Sequence, residues 1–184
     1  MIDESRKQLK KNIGVYCLTT NPTDVVMWAH YGGNHSGIAL EFEYDENFAS
    51  GSTTFEVDYD LTGNESLNIE KFINELVNAP DFSSLREKGE YIKNSSFKPL
   101  FFCKTPHWKY ELEWRVLNQP GLQNMPAPLK AIIFGTNVKQ EVIDYIESQH
   151  DLRDVEFKYL GLNKEKFEFK LVTKSQYEIA KIIK

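Results

Sequence analysis

The chain has 184 residues, of which 41% are hydrophobic and 27% charged, with a formal net charge of −5. That size fits one domain, read as 1–184 with 1–12 a loose leading segment, large enough to bury something like 70% of its unfolded surface. The acidic balance excludes a general affinity for nucleic acid, and no apolar run approaches the ~20 residues of a membrane span. Two cysteines, Cys17 and Cys103, each inside an apolar run, read as small buried hydrophobes of a reducing compartment, which makes the cytoplasm the expected location.

Residues 1–12 are polar, without an apolar stripe to hold them down. Ile13–Thr19 (IGVYCLT) reads as a short buried strand. Asn21-Pro22-Thr23-Asp24 stops it and opens a helix, with Asn21 or Thr23 as cap and Asp24 in the first turn; VVMWAHY follows, closed by Gly32-Gly33-Asn34. Ile38, Leu40, Phe42 and Tyr44 alternate with Ala39, Glu41 and Glu43, the period of a half-buried strand, and Phe55–Tyr59 is a third alternating piece. Helices are expected over 66–79, ended by Pro80, and more weakly over 84–97, where Gly89 interrupts. Phe97–Cys103 is apolar and leads through Thr105-Pro106 into the next strand. Three prolines and a glycine make Pro120–Pro128 a loop. Leu129–Gly135 reads as a buried strand that runs into Thr136-Asn137 as cap of the helix VKQEVIDYIESQH, a geometry that suits an anion at a helix N-terminus. VEFKYLGL, a turn over Asn163–Lys166 and FEFKLV read as a hairpin, and SQYEIAKIIK as a helix or an edge strand. Strands mixed with helices, without regular βαβ alternation, predict an α+β fold: a mixed, mainly antiparallel sheet with two to four packed helices.

The stretch Lys104–Leu117 (KTPHWKYELEWRVL) carries the strongest pattern. Trp108, Tyr110, Leu112, Trp114 and Val116 share one parity, and Lys109, Glu111, Glu113 and Arg115 the other. The i, i+4 pairs Trp108/Leu112 and Tyr110/Trp114 would also allow a helix, but the unbroken alternation favours a strand. A strand from Trp108 to Val116 would anchor its aromatic face in the core. It would line up Glu111, Glu113 and Arg115 on the opposite face, roughly 7 Å between successive same-side positions. That face is either solvated, with weak ion pairs, or turned into a cleft, where Arg115 offsets two carboxylates that disfavour joint ionisation. A second constellation is Met27–Phe42, in which Trp28, His30, Tyr31 and His35 flank a Gly-Gly-Asn turn. Core packing is the ordinary role for Trp28 and Tyr31, whereas His30 and His35 are chemically useful only with an oriented partner. A metal held by the two histidines and a strand carboxylate lacks a third ligand fixed by sequence, so no metal is assigned. There is no nucleophile elbow around Ser36, no P-loop and no dinucleotide fingerprint.

MWAHYGGNHSGIALEFEYD, then VDY, KTPHWKYELEWRV and IIFG, in that order over about residues 14–140, resemble the bacterial family known as domain of unknown function 2971. The resemblance implies no established reaction. It does imply that Trp28, His30, Tyr31, Glu111, Glu113 and Arg115 belong to one site. Longer members of the family begin with a strand–helix segment and an Asn-Asp-Pro turn, which have no counterpart ahead of Ile13, so the chain reads as lacking that N-terminal segment.

Three functions compete. Glu111-Leu112-Glu113 looks like the Glu-x-Glu element of ADP-ribosyltransferases, which use NAD. In that reading Glu113 supports the ribose as positive charge develops, Glu111 orients the acceptor, and Arg115 and His30 complete the catalytic set. Trp28, Tyr31, His35 and Trp108 would hold the ligand. The alternative is a non-catalytic module for a small-molecule ligand or protein partner, with Glu111, Glu113 and Arg115 as a buried structural network. A metal-dependent phosphodiesterase or nuclease is the second alternative.

Overall fold

The computed structural model describes residues 13–43, 54–60, 71, 74, 75, 78, 80–163 and 165–182. The leading segment 1–12 and most of the helix expected over 66–79 lie outside the described residues. The fold is α+β, as expected, with mostly antiparallel sheets. It divides into two compact units: Met1–Thr20 with Asp45–Asn124, and Asn21–Tyr44 with Met125–Lys184.

The first unit is built on a three-stranded antiparallel sheet in which β4 (Glu113–Asn118) lies between β1 (Gly14–Thr19) and β3 (Thr54–Glu56). β1 was expected to be buried, but Val15, Tyr16 and Cys17 are exposed. An apolar, β-branched run favours a strand without saying whether that strand is central or outer, and β1 is outer. The thiols are not the buried pair that composition suggests either: Cys17, on this outer strand, is exposed, and Cys103 is half-buried. Ser84 caps α2 (Leu85–Lys93) by accepting from the Glu87 N–H at 3.2 Å, while the Glu87 carboxylate accepts from the Ser83 N–H at 3.0 Å. Gly89 does not break this helix. A β-carbon there would lie 2.4 Å from the Phe55 ring, so the glycine is where the helix crosses the sheet. Beyond α2, Pro99 sits in the first turn of a short helix, α3 (Lys98–Phe101), where its missing N–H has no intrahelical partner to lose. Ile13, Phe55, Ile92, Phe97, Phe101, Phe102 and Leu117 close the core beneath β4.

In the second unit, α1 (Val25–His30) is capped by Asp24, whose Oδ1 accepts from the Met27 N–H at 2.8 Å. The expected caps are engaged with each other instead: Asn21 Oδ1 accepts from the Thr23 N–H at 3.3 Å. β2 (Ile38–Phe42), β5 (Leu129–Phe134), β6 (Glu156–Asn163) and β7 (Glu168–Val172) form a sheet in that order, with β5 and β6 parallel and the other pairs antiparallel. A βαβ crossover joins β5 to β6 through α4 (Gln140–Glu147). That helix was expected to start at Val138 under a Thr136-Asn137 cap, but Val138 is drawn into the core and the helix begins two residues later. The hairpin β6–β7 is as read, and the last segment resolves to a helix, α5 (Lys174–Ile182). Tyr177 on α5 donates to the Gly135 carbonyl at 2.7 Å, and Lys181 donates to the Val138 carbonyl at 2.6 Å, tying α5 to the end of β5. Ile132, Phe134, Ile143, Tyr159 and Tyr177 pack on one face of this sheet, and Trp28, Ile133 and Leu160 on the other.

Candidate functional site

The strand expected over Trp108–Val116 begins only at Glu113. Pro106–Glu111 is a 3₁₀ helix, opened by Pro106, whose fixed φ suits the first helical position. Leu112 ends it in the left-handed region, φ 42°, ψ 51°. The alternation is real, but a residue with reversed backbone hand in its middle changes what each parity faces. Trp108 and Leu112 are 38% and 44% exposed, while Glu111 and Glu113 are 3% and 4%. The expected faces are therefore exchanged around Leu112: the carboxylates are buried and two of the apolar residues turn outward, while Val116 stays buried and Lys109 exposed. The solvated-face reading is overturned with them.

Burying two carboxylates requires compensating cations and full hydrogen bonding. Lys104, just before Thr105-Pro106, supplies the first cation. Its ammonium pairs with the Glu111 carboxylate and lies 2.8 Å from Glu113 Oε2. A regular strand would hold same-side carboxylates roughly 7 Å apart; the left-handed Leu112 lets both reach one ammonium. Arg115 supplies the second cation, with Nε 2.8 Å from Glu113 Oε1, Nη2 3.2 Å from Oε2, and Nη1 on the Phe101 carbonyl. Two anions and two cations leave the cluster formally neutral. Its backbone is pinned too: the Glu113 N–H donates to the Tyr59 hydroxyl at 2.8 Å, and Thr19 Oγ1 donates to the Glu111 carbonyl at 2.6 Å. Lys104 Nζ also lies 5.2 Å from the Trp108 ring centroid.

The ionisation states follow from this packing. Burial alone would raise Glu113, but hydrogen bonds from Arg115, Cys17 and Lys104 outweigh it and hold the carboxyl at about 2. Burial would lower Lys104 and Arg115, yet their carboxylate partners hold both above their ordinary values. Cys17 lies opposite Arg115 in the ladder and donates its thiol to Glu113. Although Cys17 is exposed as a residue, its sulfur turns toward the cluster; the partial desolvation there, then the Glu113 carboxylate, pushes that thiol up to about 11, so it is neither thiolate nor nucleophile at neutral pH. A carboxyl whose folded pKa lies below its unfolded value stabilises the fold fully above the unfolded value and loses that contribution as pH falls. The denaturant midpoint is therefore expected to drop as pH is lowered from about 4 towards 2, with a shallower drop in Glu113→Gln.

The candidates of the second constellation all lie in the second unit. Trp28 is 4% exposed, packs on Ile133 and Leu160, and donates its indole N–H to the Pro22 carbonyl at 2.8 Å. That is the core role. His30 and Tyr31 are exposed, with ring centroids 6.1 Å apart. His35 donates its backbone N–H to the Trp28 carbonyl at 3.2 Å, and its own carbonyl accepts from the Asn137 N–H at 2.9 Å. Gly135 lies against this corner. A β-carbon there would sit 2.4 Å from the His35 carbonyl oxygen and 3.0 Å from that of Gly37, both backbone atoms. Gly135→Ala is expected to lower stability by about 1–3 kcal/mol, read as a shifted urea midpoint.

The structure thus joins Glu111, Glu113, Arg115 and Trp108 through Lys104 in one unit, and Trp28 with His35 in the other. Sequence reasoning missed Lys104, Tyr59 and Cys17. One signal for Lys104 existed: two carboxylates and a single guanidinium leave a buried site one cation short, and Lys104 and Lys109 were the nearest supply. Among the described residues, no three of His, Cys, Asp or Glu are grouped so as to hold a metal ion, and no helix is long and apolar enough to cross a membrane.

Fold and cluster together define an α+β protein with a buried four-charge network. Residues 27–116 match the family described as a protein of unknown function, DUF2971, a span that holds three of the four stretches on which the resemblance was read and ends before the fourth, Ile132–Gly135. No curated protein and no solved structure matches the chain.

Proposed function

We propose that the chain is a non-catalytic module that binds a small ligand or a partner, with Glu111, Glu113, Lys104 and Arg115 serving as an internal frame. One observation carries this reading: the Glu113 carboxylate has no acceptor capacity left. A carboxylate offers about four lone-pair positions, and Arg115 Nε, Arg115 Nη2, Lys104 Nζ and the Cys17 thiol take them. An ADP-ribosyltransferase needs the second glutamate of its Glu-x-Glu pair to face a ribose; here that group would first have to break a bidentate guanidinium pair. The two free thiols fit the reducing cytoplasm expected from composition.

The test sets turnover against stability. Folded protein incubated with labelled NAD is expected to yield neither free nicotinamide nor labelled protein, and Glu113→Gln is expected to melt well below the parent. Turnover of NAD that Glu113→Gln abolishes at unchanged melting temperature would restore the enzyme.

A further inference from the structure

β7 is the last strand of its sheet, paired with β6 on one side and, among the described residues, with no strand on the other. An outer strand presents a row of N–H and C=O groups to any strand that fits it. The two faces of β7 differ. Phe169 lies opposite Leu162 and Leu171 opposite Leu160, so both stand on the Trp28 face of the sheet. There Phe169 is half-buried against the edge of the His35 ring, and Leu171 is exposed. Glu168 and Lys170 stand on the other face, both exposed, and among the described residues neither has an ion-pair partner. Phe167, the residue just ahead of the strand, is 78% exposed with φ 54°. A bulky side chain in the left-handed region is costly, and within one chain this one buries little in return.

The strand that complements this edge is β7 itself. Antiparallel pairing across a twofold axis at Phe169 sets Glu168 opposite Lys170 of the second copy, and Lys170 opposite its Glu168. Phe169 then meets its own counterpart, and Phe167 comes level with Leu171 of the second copy. Opposite charges and aromatic rings placed in this way stabilise a ladder. The neighbouring registers do not fit. Moving the axis to Lys170 or to Glu168 sets like charges directly opposite each other, which is destabilising. Moving it between Phe169 and Lys170 sets the apolar side of one strand against the charged side of the other.

We propose that the chain self-associates through β7, two copies joining edge to edge in the register centred on Phe169 and continuing one sheet across a twofold axis. A lysine in mid-strand ordinarily protects an edge from pairing; Lys170 does so against strands that bring no acidic residue to it. Self-association of this kind is independent of what the Glu113 frame serves.

Sedimentation velocity of the full chain over a concentration series reads the association, which is expected to pass from monomer to dimer as concentration rises. Lys170→Glu meets Glu168 of the second copy with a like charge, twice over by symmetry, and is expected to weaken the dimer about tenfold. Glu168→Lys alone is expected to do the same. Together in one chain the two changes rebuild the complementary pairs with their signs reversed. The dimer is then expected to return to within about threefold of the parent's dissociation constant. Both positions are exposed, so the melting temperature is expected to stay with the parent's, which separates lost pairing from lost fold. A chain that remains monomeric up to the order of 1 mM overturns the proposal and leaves the edge to a strand of another protein. A dimer that Lys170→Glu does not weaken, or that the double change does not restore, overturns it as well.

Discussion

Glu113→Gln is expected to lower stability by about 3–5 kcal/mol, the cost of removing one partner from a buried ion pair. For a chain of this length that is a fall in melting temperature of roughly 6 °C or more. The substitution keeps the side chain's shape, so no cavity contributes. What changes is charge: Arg115 and Lys104 face an amide with one acceptor oxygen where they faced a carboxylate with two. Arg115 cannot relax by losing its proton, since a guanidinium does not deprotonate in proteins. Its Nη1 bond to the Phe101 carbonyl also holds it over the core. Thermal melts of parent and variant, followed by circular dichroism, check this. A drop of less than about 1 kcal/mol, the size of an exposed pair, would show that the cluster is not the buried frame described.

Lys104→Met carries the second large effect. Its ammonium is the group that both Glu111 and Glu113 share. Without it the two buried carboxylates have only Arg115 between them. One must then take up a proton or draw in water, and the expected cost is again about 3–5 kcal/mol. The damage is specific enough to be undone in part. Adding Glu111→Gln to Lys104→Met removes the surplus anion, and the pair is expected to recover about 1 kcal/mol or more relative to the sum of the single changes, as residues in one ion-pair network do. Lys109→Met, an exposed lysine of the same stretch, is the control and is expected to stay within about 0.5 kcal/mol of the parent. Urea titrations of the four variants supply the cycle. Strict additivity between Lys104→Met and Glu111→Gln would contradict the shared ammonium.

Local chemistry made much of this molecule readable in advance. The Leu129–Phe134 strand, the β6–β7 hairpin and the short helix carrying Trp28 follow from periodicity and turn residues within a few positions of each, so they stand where the chain alone placed them. Gly89 and Leu112 mark the limit of that kind of reading. A glycine in a helical window looks like a break until Phe55, more than thirty residues away in the chain, is seen to need the space of its missing β-carbon. An unbroken alternation from Trp108 to Val116 looks like one strand until Leu112 turns left-handed and brings Glu111 and Glu113 onto one lysine. Residue order determined that two carboxylates and an arginine would share a parity. Which parity faces inward was decided by tertiary structure, because a buried charge depends on the cations around it and a period of two carries no record of where Lys104 will lie.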